Sequence, residues 1–387
     1  MNKLVNLWIA VTLLFVQAAK ADTKIFVTNL IDYGRDNSVV EVNLGLLPMF
    51  ANVKPAIYND KLNTFVPSQL LDKDEDGKND TLLFLADIKA LQTKTFTVYE
   101  ANAANKVEVY DRPAAYYVAQ RKDDFAWEND KIAFRIYGQE LQRTELTSSG
   151  IDVWVKKSTR PVMPTLYKKG HDYYHSDNPY GIDFFSVGRT LGCGGIGVWS
   201  DGKLLMSENY DQHKIVANGP IRVIFEVSYK PWNMGDGRKL QEIKRITLDK
   251  GWNFSKIESR FEGDVKDVVF APGIVKCIRG GKPTYGVVNE YLGYWQKPDK
   301  DFGAIGCGII LDKESVTYKA AEDSEHYLLL AKARSNNVVT YYAGACWNRS
   351  KEFRNEKDWN ELIRKTSKIV NSPLKVEVKE VFAKKKY

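Results

Sequence analysis

The sequence predicts an all-β fold: a large antiparallel two-sheet sandwich with a smaller N-terminal β-sandwich lobe and one C-terminal helix. Three observations lead there. Runs of β-branched and aromatic residues alternate with polar ones, and Asn, Asp and Gly break them at short intervals. Many of the breaks are DG, NG, KG or SN pairs, the chemistry of antiparallel hairpins. Long alternating strands then continue for over two hundred residues, which two sheets packed face to face accommodate.

In chain order, residues 1–21 read as an export leader. Lys3 supplies a positive start, residues 4–16 an apolar run, and Ala19-Lys20-Ala21 a cleavage signal. The run is too short to remain in a bilayer, and no later stretch is apolar enough to span one. An exported protein, periplasmic or extracellular, is expected. The formal charge of +7 falls to about +5 once Lys3 and Lys20 leave with the leader. That excess suits an anionic partner. The absence of a basic helix or an RNA-binding motif argues against nucleic acid.

Residues 22–106 form the predicted small lobe, with strands in IFVTNL, SVVEVNL, TLLFLADI and TFTVYEA and a polar joint at ANAANK. Inside it LDKDEDGKND carries Asp72, Asp74, Asp76 and Asp80 with Gly77. Carboxylates at alternating positions before a glycine resemble the start of a calcium loop. Leu83 stands where such a loop needs a bidentate Glu, so an acidic hairpin turn is preferred over Ca2+, and no other cofactor is expected. Residues 107–387 form the predicted large sandwich. There Ile221, Val223, Phe225, Val227 and Tyr229 alternate with Arg222, Ile224, Glu226 and Ser228. Asp358 is read as the cap of a helix through Trp359, Leu362, Ile363 and Ile369 that stops at Asn371-Ser372-Pro373. LKVEVKEV is a final strand before an unstructured lysine-rich tail. The four cysteines are widely spaced in apolar or glycine-rich contexts, which excludes a zinc knuckle or a CxxC pair.

Chemistry concentrates in residues 167–195. His171 and His175 lie there among Tyr173, Tyr174 and Tyr180, with Asp183 and Arg189 downstream. Eliminating a glycan across a uronate needs a base, an acid and a cation for the carboxylate. His171 or His175, a tyrosine, and Arg189, Arg121 or Lys122 match those needs. The Gly170 start and the Asn178-Pro179 stop favour a loop over a helix that would align the histidines. A hydrolase reading uses the carboxylates of RKDDFAWENDK, Asp124 foremost, together with Asp183; Glu128-Asn129-Asp130-Lys131 there reads as a hairpin turn. A binding-module reading uses tryptophans such as Trp127 as stacking platforms. Residues 171–189 and 121–128 are expected to line one concave face.

The segments KDDFAWENDKIAFRIYG (122–138), SGIDVWVKK (149–157), YGIDFFSVGRTLGCGGIGVWSDGKL (180–204), NGPIRVIFEVSY (218–229) and KRITLDKGWNF (244–254) resemble the DUF4861 family. That family is similar to galactose-mutarotase-like β-supersandwich proteins. The resemblance implies a carbohydrate-handling role near enzymes of uronate-bearing glycans, with an anionic poly- or oligosaccharide as partner. It carries no mechanism, since the fold hosts epimerases, hydrolases, lyases and binding modules.

Overall fold

The computed structural model describes residues 21–288 and 290–382. The predicted leader, apart from Ala21, and the end of the lysine-rich tail lie outside the described residues.

Strands Ala21–Thr28, Thr93–Glu100, Pro55–Asn59 and Thr64–Val66 form one antiparallel sheet. It faces a three-stranded sheet of Arg35–Asn43, Thr81–Ile88 and Ser68–Leu71. The two enclose a core of their own that includes Ile25, Val40, Ile57, Phe84 and Phe96. The last strand, Lys375–Phe382, pairs along the whole of Ala21–Thr28. It therefore belongs to the N-terminal sheet, although the sequence reading grouped it with residues 107–387. Val376 and Val378 pack against that core, which rewards the return of the chain.

The large sandwich sets a nine-stranded antiparallel sheet against two five-stranded ones. All three sheets feed one core, from Phe125 and Trp127 through Phe225 and Ile246 to Cys307 and Tyr341. The alternation expected at residues 221–229 holds in part. Val223, Phe225, Val227 and Tyr229 enter the core, and Arg222, Glu226 and Ser228 are partly exposed. Ile224, expected beside the latter, is instead buried together with Ile221 against Leu71, Leu83 and Leu85 of the N-terminal lobe. The predicted DG turn is present, with Ser200 opposite Lys203 and both Asp201 and Gly202 in the left-handed region. All four cysteines are free thiols, and Cys193, Cys307 and Cys346 are buried.

Helix Glu356–Val370 packs Trp359 and Ile363 onto the back of the nine-stranded sheet. Its cap is Asn355, whose side chain accepts from the amides of Lys357 and Asp358, so the helix starts earlier than an Asp358 cap implied. Residues 163–174 are also helical, in two short pieces, Met163–Lys169 and His171–Tyr174, the second in the stretch from Gly170 expected as loop. Pro164 suits a first turn, and Gly170 at φ +93° separates the pieces.

Candidate active site

The site is built on the five-stranded sheet ordered Gly181–Asp183, Asp152–Lys156, Ile132–Ile136, Asp124–Glu128 and Ala114–Val118. Successive strand residues point to opposite faces. Ile182, Val153, Val155, Ile132, Phe134, Phe125 and Trp127 turn inward to the sandwich core. Ala126, Ala133 and Trp154 turn the other way, and Asp183, Asp152, Arg135 and Asp124 share their parity. Alternation of this kind usually marks a wet outer face. Here the two short helices cover it, packing Met163, Leu166 and Tyr174 over Trp154, Ala126 and Ala133.

Glu128 holds the cover in place. Its buried carboxylate accepts from the backbone amides of Val162 and Met163, each at 2.9 Å, and from Lys156 Nζ at 2.7 Å. The expected Glu128-Asn129-Asp130-Lys131 turn does join two strands, and Glu128 itself closes the strand before it as a helix-anchoring group.

Under the cover, one guanidinium serves three carboxylates. Arg135 donates to Asp152 at 3.0 Å through Nε and to Asp183 at 2.9 Å through Nη2, and its Nη1 lies 3.5 Å from Asp124. It stacks 4.8 Å from the Trp154 ring. All four charged groups are buried. Burial and the neighbouring Asp152 raise the Asp183 carboxyl well above its ordinary range, against the pull of Arg135. Burial likewise raises Asp124, to about 7, although Arg135 and Arg121 oppose it. One oxygen of each of these two acids, Asp124 Oδ1 and Asp183 Oδ1, has no hydrogen-bond partner. Burial lowers Arg135 in principle, but Tyr137, Asp152 and Asp183 outweigh it and keep the cation charged.

His175 connects this cluster to the surface. Its Nδ1–H donates to the Asp183 carbonyl at 2.8 Å, leaving the Nε2 lone pair 3.6 Å from Asp183 Oδ2. Desolvation lowers its pKa. The histidines do align on the single helical turn, with ring centroids 4.4 Å apart.

An open cleft of about 550 Å³ lies between the Ala114–Val118 strand with the turn after it and the two helices. Tyr116, Tyr117, Tyr167 and Tyr174 give it aromatic walls, and Arg121, Lys168 and His171 give it cations and a base. The Tyr167 hydroxyl donates to Asp124 at 3.3 Å, coupling the cleft to the buried cluster. Tyr174 is almost wholly buried; its hydroxyl accepts from Arg121 Nε at 3.2 Å and so aims that guanidinium. Arg121 also lies 3.3 Å from Glu145.

The structure thus brings together Arg121, Asp124, His171, Tyr174, His175 and Asp183. Others stand apart. Trp127 faces the sandwich core, fully buried, stacked on Phe134 and bonded through Nε1 to Ser255 at 3.0 Å. It is no sugar platform, because strand parity opposes it to Asp124 and Glu128. Lys122 is in the left-handed region and ties its Nζ to Thr144 Oγ1 at 2.6 Å, away from the cleft lining. Tyr173 and Tyr180 pack at the margin of the helical cover. Arg189 is exposed, 3.9 Å from Glu208, outside the lining. The expected concave face becomes a cleft on the outer side of one sheet, since the two helices, the second in the stretch expected as loop, form its second wall. Arg135, Asp152 and Lys168 were missed. The available signal was parity: Asp124, Arg135, Asp152 and Asp183 sit at matching positions of four neighbouring strands.

Asp72, Asp74 and Asp80 can bring oxygens within 4.8 Å of one another. The turn, however, already uses them. Asp72 accepts from the amides of Asp76 and Gly77, and Asp80 from those of Lys73 and Asp74. Asp76 accepts from Lys78 and is not in the group.

The chain is 30% identical to the uncharacterized protein P7 of Formosa agariphila, over 96% of this chain and 98% of that one. It superposes on a glycosyl hydrolase family 38 protein from Enterococcus faecalis with a TM-score of 0.55 at 9% identity, covering 94% of this chain and 48% of that one. An α-mannosidase from Enterococcus faecalis V583 aligns with a TM-score of 0.47 at 8% identity, over 92% of this chain and 46% of that one. The chain spans about half the length of these solved structures. The first likeness shows a shared fold alone. With residues 27–376 matching its domain of unknown function, the chain belongs to the DUF4861 family.

Proposed function

We propose that the protein is an exported carbohydrate-active enzyme that cleaves a uronate-containing glycan by β-elimination, in the periplasm or outside the cell. The observation that carries this reading is the grouping of Arg121, Lys168 and His171 with Tyr167 in one aromatic cleft. Arg121 and Lys168 take the uronate carboxylate, which makes the adjacent C–H more acidic. His171, exposed on the helical turn, removes that proton. The electron pair forms the C=C bond and the glycosidic C–O bond breaks. The leaving oxygen receives the Tyr167 proton, which Asp124, raised to about 7, replaces across their 3.3 Å contact. His171 and Asp124 return to their starting states by exchange with solvent.

Uronate glycans incubated with the protein should give an unsaturated product, read by its ultraviolet absorbance. His171→Ala should lower the rate about 10²–10⁴-fold, the usual value of a placed proton-transfer group, and leave the melting curve unchanged. New reducing ends without absorbance would replace this reading with hydrolysis, in which the raised Asp124 is the acid. Binding with neither signal would make the cleft a carbohydrate-binding module.

A further inference from the structure

A larger cleft, about 800 Å³, lies between the N-terminal sandwich and the outer face of the nine-stranded sheet. It shares no lining residue with the first. Strands Arg222–Ser228, Lys239–Asp249 and Phe254–Glu262 form its floor. Alternation turns Arg245 and Arg260 to this face, because Ile246 and Phe261 beside them are needed in the core. The opposite wall includes Val40, Leu71 and Val376. Seven cations and four acids line the cleft, so its potential favours an anion, and Trp252 and Tyr342 offer rings to a sugar.

The cations differ in how fully they are used. Arg222 is saturated by a two-pronged contact with Asp249 at 2.5 and 2.7 Å and by Glu41 at 2.5 Å. Arg260 is half exposed, with Glu262 only at 4.0 Å. Arg245 directs one nitrogen at two acids, Glu226 and Glu75, each 2.8 Å away. Glu226 is its cross-strand neighbour. Glu75 arrives from the other lobe, from the acidic turn, held in the left-handed region at φ +64° with its second oxygen on Lys214.

We propose that the interlobe cleft is a second carbohydrate site, taking a carboxylate-bearing sugar on Arg245 and Arg260, and that Glu75 occupies Arg245 until the ligand displaces it. The exchange leaves Arg245 with a carboxylate partner in both states, and Glu75 keeps Lys214. The acidic turn thereby acquires a role that needs no metal: it presents a competing carboxylate.

Titration calorimetry on the full chain tests this, with a galacturonate hexamer as probe and neutral cellohexaose as control. An Arg121→Gln background removes a cation from the first cleft, which separates this site from the proposed elimination. Glu75→Gln should tighten hexamer binding about ten- to a hundredfold, the value of one charge-assisted contact. Arg245→Gln should weaken it by a similar factor, and cellohexaose should respond to neither. If Glu75 is only a latch between lobes, Glu75→Gln lowers the melting temperature and leaves affinity unchanged, which overturns the proposal. Failure of the Glu75→Gln chain to bind the hexamer overturns it equally.

Discussion

Replacing Arg135 with Gln removes the one cation that contacts three buried carboxylates. It loses contacts of 3.0 Å to Asp152, 2.9 Å to Asp183 and 3.5 Å to Asp124, and the stack on Trp154. Breaking a buried pair by deleting one partner costs about 3–5 kcal/mol, since the remaining charges stay desolvated. That cost must depend on pH. In the native protein Asp124 is raised from 3.8 to about 7, and Asp183 is raised too. For an acid raised on folding, the stabilising contribution is full below its unfolded value and is lost as pH rises through its folded value. For Asp124 the loss therefore falls between about pH 4 and pH 7. Without Arg135 both acids rise further, and the loss continues above that window. Urea midpoints should show the variant destabilised by about 3–5 kcal/mol at a pH near 8. Near pH 5 the deficit should be smaller, since Asp124 and Asp183 are both raised on folding and need the cation less as pH falls. A deficit equal at both values, or under about 1 kcal/mol near pH 8, would refute a shared buried cluster.

Two further outcomes separate scaffold from site. Trp127→Ala should cost about 3–5 kcal/mol of stability, seen in thermal melts, while the folded fraction binds glycan as before. Spared stability with lost affinity would mean that the ring meets sugar after all. Chelation should leave the melting temperature unchanged, because Asp72 and Asp80 already accept backbone amides within their own turn. A fall that Asp74→Ala abolishes would instead place an ion on Asp72, Asp74 and Asp80.

Alternation and turn chemistry are local properties, and the sequence determined them. Val223, Phe225 and Val227 could only face a core once their strand formed, and Asp201-Gly202 could only close a hairpin. The antiparallel class, the C-terminal helix and the concentration of proton-transfer groups near residue 173 followed from the same local rules. Tertiary structure alone decided what covers each face. Asp124 and Asp183 stood out only as separate carboxylates, and Arg135 and Asp152 not at all, until register set the four side by side and residues 163–174 folded over them. Trp127 and Asp124 lie three residues apart, yet parity sends one to the core and the other to the site. Glu128 anchors a helix more than thirty residues away, and Glu75 reaches a guanidinium on another lobe. Such roles depend on contacts distant in sequence, which burial makes strong by excluding water and which local pattern does not encode.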